Sequence, residues 1–331
     1  MTLFDTIYLV LGAYIILRSS TYVISSLTNL ALFFGLSGFT ISFILMAFAT
    51  SIPELVVGVT AAIAGNPGIS LGNILGTNIV NLSLVLGLVA LISGKIVMDE
   101  YQKFSSNRLF NLFLVMSPAI LLLDGILSRA DGIVLLLFFV WNLWRMFEFK
   151  ERLRQKGFRG FFRKQTTNSL GDFSQSITKF FKNFAIFSLS VAILVIAAHY
   201  FIVGAKNVSI HFGLSDIFIG IFIVGLGTSL PELVFGVRAA RSKQGGMSLG
   251  NIFGSSVVNS TLILGVTALI YPITVGDTTV FWIGVVFMAL TMLLAYYLLR
   301  SKDFLTRREG IFLILIYVVF LIIQVTSCIK C

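Results

Sequence analysis

Charge is what this chain has least of. Only 11% of its 331 residues are Asp, Glu, Lys or Arg, against 57% that are hydrophobic, and the mean hydropathy is +0.98. So few polar residues cannot clothe a water-facing surface, which excludes a soluble globular protein. Histidine is nearly absent: His199 and His211 are the only two, neither falls in an HExxH pattern, and no GxSxG occurs. Metallohydrolase and nucleophilic chemistry therefore have no residues to run on, and both histidines read as surface or packing residues. The two cysteines, Cys328 and Cys331, read as an incidental pair, and their Cys-Ile-Lys-Cys run fails as a prenylation box on its lysine. No basic region precedes the first apolar run, which carries Asp5, and no small-residue cleavage pattern ends it. That run is expected to stay in place as a span.

What is present is apolar length. Punctuating the hydropathy with Gly, Pro and charge predicts ten spans near 5–29, 36–64, 70–92, 108–126, 131–148, 184–203, 215–238, 248–271, 279–299 and 309–328, each long enough for about 30 Å of hydrocarbon. The fold class is thus all-α, a polytopic integral membrane protein with the bilayer as its solvent. Residues 149–182 hold nine basic residues against Glu151 and Asp172. This is the one sizeable segment expected outside the membrane. If it is cytoplasmic, 19 of the Lys and Arg residues fall on that side and three, Arg129, Lys206 and Lys330, on the other. The positive-inside rule then places both termini outside the cytoplasm, as in a plasma-membrane protein. The net charge of +10 reports this orientation and not a nucleic-acid partner, because the basic residues sit between apolar spans. The loop is suited to anionic lipid head groups.

The chain also repeats. A shift of 178 residues aligns 50–87 with 228–265 without a gap, and 22 of 38 positions are identical, beyond what shared hydrophobicity gives. Thr50-Ser51-Ile52-Pro53-Glu54-Leu55-Val56 answers Thr228-Ser229-Leu230-Pro231-Glu232-Leu233-Val234. Five spans separate motif from copy, and an odd number reverses direction. The halves, 1–148 and 183–331 around the loop 149–182, are therefore inverted five-helix repeats, an architecture that builds a midplane site reachable in turn from each side.

Glu54 and Glu232 are the only acidic residues in the middle of strongly apolar spans, and they are equivalent in the two copies. An ionisable group there costs a few kcal/mol or more, so two brought together point to a dication site. Each follows a proline. Pro53 cannot donate to the Ala49 carbonyl, nor Pro231 to that of Gly227, so each helix is locally broken and its carbonyls are freed. Thr50, Ser51, Thr228 and Ser229 add neutral oxygens, although such hydroxyls often bond back to their own backbone. In the next span Asn73, Thr77 and Asn81 share a helical face, matched by Asn251, Ser255 and Asn259. Asn81 and Asn259 are expected to be ligands and Asn73 and Asn251 structural. The glycines of Gly72-x-x-x-Gly76 and Gly250-x-x-x-Gly254 would let helices approach closely. An all-oxygen set suits hard cations, and calcium, with six to eight irregular ligands, fits it better than magnesium.

The doubled T-S-x-P-E followed by G-N-x-x-G-[ST]-x-x-x-N resembles the α-repeats of the sodium/calcium exchanger branch of the calcium/cation antiporter superfamily. The resemblance covers the whole chain. It implies one calcium site and flanking sodium sites between spans 2, 3, 7 and 8, sharing Glu54 and Glu232. Thr50 and Thr228 would offer carbonyls to calcium, and Asn81 and Asn259 would border the middle site. Ala47, Ser51 and Thr77, with Gly225, Ser229 and Ser255, would form the sodium sites, and spans 1 and 6 would slide to switch access. No cofactor is implied beyond the transported ions, and a monomer suffices. Three positions depart from the pattern. Ala49 replaces a common glycine that Gly227 keeps. Asn259 stands where many members carry Asp, which argues against potassium coupling. Arg18 falls well inside span 1, and nothing in the pattern accounts for it.

The activity expected is therefore sodium/calcium antiport by alternating access. The alternative is a calcium (cation)/proton antiporter on the same fold, in which the glutamates carry protons; proton-coupled relatives tend to a G-N-x-x-E type motif instead. A channel would conduct without a counter-ion, and a membrane enzyme would need a catalytic set that the basic loop does not offer.

Overall fold

The computed structural model describes residues 3–33, 46–97, 108–155, 170–242, 245–302 and 304–329. Ten helical spans follow one another. They are α1 (Leu3–Phe33), α2 in two pieces (α2a, Met46–Thr50; α2b, Ile52–Ile63), α3 (Pro67–Ser93), α4 (Arg108–Leu121), α5 (Arg129–Gln155), α6 (Leu170–Phe212), α7 in two pieces (α7a, Asp216–Thr228; α7b, Leu230–Arg241), α8 (Gly245–Ile270), α9 (Thr278–Lys302) and α10 (Arg307–Ile329). Among the described residues α1, α3, α6, α8, α9 and α10 are each long and apolar enough to cross a bilayer unbroken, and α7 joins them as a pair bent by 41°. Residues 36–45 of the second predicted span lie outside the described residues, as do Lys103, Lys156, Arg159, Arg163, Lys164, Lys243, Lys330 and Cys331.

The helices overrun the predicted spans. α6 has 43 residues, about 65 Å at 1.5 Å per residue, against the 20 or so that hydrocarbon requires. Hydropathy detects only the apolar part, whereas polar residues such as Gln175, Lys179 and Lys182 continue the helix because they are good helix formers. The segment 149–182 is accordingly helical at both ends, to Gln155 in α5 and from Leu170 in α6.

Short β-ribbons tie the halves together. β1 (Lys95–Val97) pairs antiparallel with β4 (Phe304–Thr306), and β2 (Ile126–Leu127) with β3 (Ile273–Thr274). The shift of 178 carries β1 onto β3 and β2 onto β4, so each ribbon is the symmetry mate of the other. Capping follows the same rule. Asp131 Oδ2 accepts from the Ser128 N–H at 2.8 Å and hydroxyl at 2.7 Å, while Glu309 Oε2 accepts from the Thr306 N–H at 2.7 Å and hydroxyl at 2.8 Å. These reciprocal caps start α5 and α10 at equivalent places.

Close approach is where glycine is required. A Cβ on Gly87 would lie 2.6 Å from the Gly310 carbonyl oxygen and one on Gly310 2.7 Å from that of Gly87; the equivalent pair, Gly132 and Gly265, gives 2.9 and 3.0 Å. Thus α3 meets α10, and α8 meets α5, backbone against backbone, by the small-residue packing expected where no water drives helices together. A Cβ on Gly72 would overlap the Ile217 carbonyl oxygen, which fixes α3 against α7a.

α1 and α6 stand apart from this body. They run antiparallel, with Tyr8 and Tyr200 rings 5.3 Å apart toward one end and Asn29 Nδ2 donating to Asn183 Oδ1 at 3.1 Å toward the other. Their buried residues, among them Ile16, Val23, Ala198 and Phe201, form a core with Val57 of α2b and Val224 of α7a, separate from the main cluster built on α3, α8, α9 and α10. At one end Lys206 of α6 is held by Asp216 of α7a at 2.9 Å. Arg18 sits on the exposed face of α1, so it is not inside the bundle, and its stem is long enough to carry the charge toward an interface.

Ala at Gly87 or Gly265 must push two backbones apart and is expected to destabilise the protein by about 1–3 kcal/mol. Gly276, with nothing within 4 Å of its Cβ position, serves as the control. Thermal unfolding in detergent measures all three, and an equal midpoint for Gly87→Ala and Gly276→Ala would contradict the packing.

Candidate cation-binding site

The prolines break their helices as the sequence requires. Ser51 has φ −83° and ψ 0°, Ser229 φ −76° and ψ −4°, a matched departure from helical geometry one residue before each Ile/Leu-Pro pair. Regular bonding resumes only with Leu55 N–H to the Ser51 carbonyl and Leu233 N–H to that of Ser229, both at 3.0 Å. Among the described residues no backbone N–H donates to the Thr50 or Thr228 carbonyl. These two oxygens stand at the C-terminal ends of α2a and α7a, where the helix dipole is negative, and Glu54 and Glu232 lie in the first turns of α2b and α7b.

The threonine hydroxyls have another task. Thr228 Oγ1 donates to Asn73 Oδ1 at 2.9 Å, and Thr50 Oγ1 to Asn251 Oδ1 at 3.0 Å. Asn73 and Asn251 therefore clamp the broken turn of the opposite half by their side chains, and the threonines have their carbonyls left for an ion. Thr77 Oγ1 sits 3.3 Å from Thr228 Oγ1 and 3.4 Å from both the Gly225 carbonyl and Asn73 Oδ1. α3 and α7 thus meet at one knot of oxygens. Ser229 bonds back to the Gly225 carbonyl at 2.6 Å, the competing use of such hydroxyls, but Ser51 does not: its Oγ is buried without a partner among the described residues. Ala47 and Gly225 are both buried, 3% exposed in the case of Ala47.

Of three π-turns among the described residues, one is Gly220–Val224 in α7a and two begin at equivalent places: Asn81–Val85 in α3 and Asn259–Ile263 in α8. Each of these two inserts one residue into the helical register at its asparagine and so ends the stripe of polar residues there. The signal for them lies in no single residue type, since Asn-Leu-Ser-Leu-Val and Asn-Ser-Thr-Leu-Ile are unexceptional helix sequences. Asn81 Nδ2 reaches Ser255 Oγ at 3.5 Å, the outer limit of a hydrogen bond, and Ser255 itself bonds to the Ile252 carbonyl at 3.1 Å. Asn259 Nδ2 donates to Asn78 Oδ1 at 3.2 Å.

Among the described residues both carboxyl oxygens of Glu54, both of Glu232, the Oδ1 atoms of Asn81 and Asn259 and the Ser51 hydroxyl are buried without a hydrogen-bond partner, as is the Asn73 NH₂, on residues no more than 1% exposed. Burying so many acceptors and two carboxyls without donors would cost several kcal/mol apiece unless a cation meets them. Among the described residues no three His, Cys, Asp or Glu side chains gather, so the set is two carboxyls supported by neutral oxygens, which suits a weakly held hard cation. The predicted residues converge from α2, α3, α7 and α8. His199 and His211 are exposed and pack on neighbouring Tyr200 and Phe212, away from the site.

A model of the sodium/calcium exchanger protein family matches residues 4–147 and 182–326. Sodium/calcium exchanger MaX1 of Methanosarcina acetivorans is 31% identical over 95% of this chain and 97% of its own length. Inner membrane protein YrbG of Escherichia coli is 28% identical over 82% and 81%. Among solved structures, the sodium-calcium exchanger NCX_Mj soaked with sodium and strontium superposes with a TM-score of 0.63 at 28% identity, over 96% of this chain and 98% of that one.

Two substitutions separate carboxylate from hydroxyl. Glu54→Gln is expected to weaken calcium binding at least about 100-fold, the loss of one buried charge partner, whereas Thr228→Val keeps its carbonyl and is expected to cost no more than about tenfold. Isothermal titration of the purified protein with calcium measures both, and the reverse order would contradict the assignment.

Proposed function

Because the chain belongs to the sodium/calcium exchanger protein family, an integral membrane antiporter of sodium against calcium built from two inverted five-helix repeats, we propose that Glu54 and Glu232 are the ligands both ions compete for. The observation that carries this is the set of buried, donor-free oxygens, paired across the two repeats in both glutamates and in Asn81 and Asn259. Calcium bridges the two carboxylates, with the Thr50 and Thr228 carbonyls completing its shell and Asn81 and Asn259 bordering it. Sodium ions take Ala47, Ser51 and Thr77 on one side and Gly225, Ser229 and Ser255 on the other, sharing the same glutamates.

Shared ligands enforce exchange. Calcium neutralises two carboxylates, so loading more than two sodium ions leaves net positive charge and makes transport sensitive to voltage. Supporting a sliding role for α1 and α6 is their separate core, which contacts the broken helices at Val57 and Val224. The tie between Lys206 and Asp216 is one contact such a movement must keep or break. Residues 1–148 and 183–331 form the two repeats, 149–182 lies in the cytoplasm, and both termini face outward from the plasma membrane, on the strength of the charge asymmetry. One copy of the chain holds every ligand, so a monomer suffices. The known relatives being exchangers supports transport without catalysis.

In reconstituted vesicles, radiolabelled calcium uptake is expected to require internal sodium, with potassium-loaded vesicles and vesicles carrying only a pH gradient taking up none above background. Uptake driven by the pH gradient alone would replace sodium by protons in this scheme.

A further inference from the structure

Asparagine at position 259 raises a problem that a carboxylate would not. One end of its side chain is an oxygen that attracts a cation and the other is an NH₂ that repels it. A ligand role requires the amide to be held one way round. Asn259 Nδ2 lies 3.2 Å from Asn78 Oδ1, and Asn78 Nδ2 lies 3.0 Å from Ser260 Oγ and 3.7 Å from the sulfur of Met288. Asn78, Asn259, Ser260 and Met288 are all 2% exposed or less, so water does not arbitrate.

Ser260 leaves the direction of this chain open, because a hydroxyl can donate or accept. Met288 closes it. A thioether sulfur accepts weakly and cannot donate, so the Asn78 atom facing it is the NH₂; a carbonyl oxygen there would meet sulfur lone pairs. With Asn78 so oriented, its Oδ1 faces Asn259 and accepts from the NH₂ of that residue. Asn259 Oδ1 is then turned the other way, buried and without a donor among the described residues. We propose that Asn78, set by Met288, is a positioning residue that holds the Asn259 amide with its oxygen toward the transported cation. This rests on the reading of Asn259 as a ligand.

The device exists in one half only. Shifting by 178 places Ser256 opposite Asn78, Leu82 opposite Ser260 and Phe110 opposite Met288, and Ser256 spends its hydroxyl on the Ile252 carbonyl at 2.9 Å. Asn81 is left with its long contact to Ser255. The two asparagines that look equivalent in sequence are therefore held differently, one by an acceptor chain running back to α9 and one loosely.

A double-mutant cycle on calcium half-saturation in sodium-loaded vesicles tests this. Asn78→Ala and Asn78→Leu are each expected to raise the half-saturation concentration about tenfold, the worth of one buried hydrogen bond that fixes a ligand. In the background of Asn259→Asp, whose two oxygens need no orienting, the same Asn78 substitutions are expected to change it less than about twofold. A packing role predicts instead that Leu, which keeps the branched shape of the Asn side chain, restores what Ala loses, and that the effect is equal in both backgrounds; either result overturns the proposal. Asn259→Ala identifies where a failure lies. If it leaves calcium half-saturation unchanged, the ligand reading fails and the proposal with it. If it weakens calcium while Asn78→Leu does not, only the role of Asn78 is overturned. Should the Asn78 variants not fold in detergent, Met288→Leu, which keeps volume and removes the sulfur, is expected to raise half-saturation at least twofold in the Asn259 protein and not in the Asn259→Asp protein; no difference between the two backgrounds overturns the proposal.

Discussion

A carboxylate in the middle of an apolar helix costs several kcal/mol unless a cation or a set of donors meets it, and this bundle buries two whose oxygens have no hydrogen-bond partner among the described residues. Everything around them follows from making that arrangement tolerable. Pro53 and Pro231 open the helix immediately before each glutamate, so each carboxylate sits at the positive start of one half-helix while the Thr50 and Thr228 carbonyls end the other. The break would leave loose backbone in a medium without water, and the threonine hydroxyls prevent that by docking on Asn73 and Asn251 of the opposite half.

Docking across halves demands that helices come close, which is the work of glycine here. Gly72 against Ile217 brings α3 to α7a, and Gly87 with Gly310, like Gly132 with Gly265, lets the outer helices support α3 and α8 from behind. With no hydrophobic driving force between helices in lipid, contact distance decides the strength of association. The central four helices are consequently held from both sides, while α1 and α6 share a smaller core that takes in residues of the broken helices and Ile69 of α3.

Symmetry in the backbone does not carry through to every side chain. Ser70 bonds to Thr267 at 3.1 Å beneath Gly58, whereas its counterpart Ser248, beneath Gly236, has the apolar Val89 in the place of Thr267 and no partner among the described residues. Ser229 bonds back to Gly225 while Ser51 Oγ has no partner among the described residues. Lys206 and Asp216 have Thr28 and Gly38 as counterparts. A duplicated fold with unequal linings gives two sides of one site different affinities, which a vectorial exchanger facing two different solutions can use.

The sequence by itself determined the spans, the inverted duplication, the broken helices and the ligand candidates, because each is a local or periodic property: apolar length, a constant shift, a proline's missing N–H, a glutamate where none should be. Even the structural part played by Asn73 and Asn251 followed from their place on the stripe. Helix ends were less legible, since hydropathy marks where lipid stops and not where α6 does. Only the tertiary structure decided which oxygens are free, because that depends on where each hydrogen goes across a helix interface. It sent the Thr50 and Thr228 hydroxyls to asparagines, the Ser229 hydroxyl back to its own helix and the Asn259 amide to Asn78. The π-turns at Asn81 and Asn259 and the glycine pairs joining α3 to α10 and α8 to α5 belong there too, for they arise from contacts between residues far apart in the chain that no local pattern encodes.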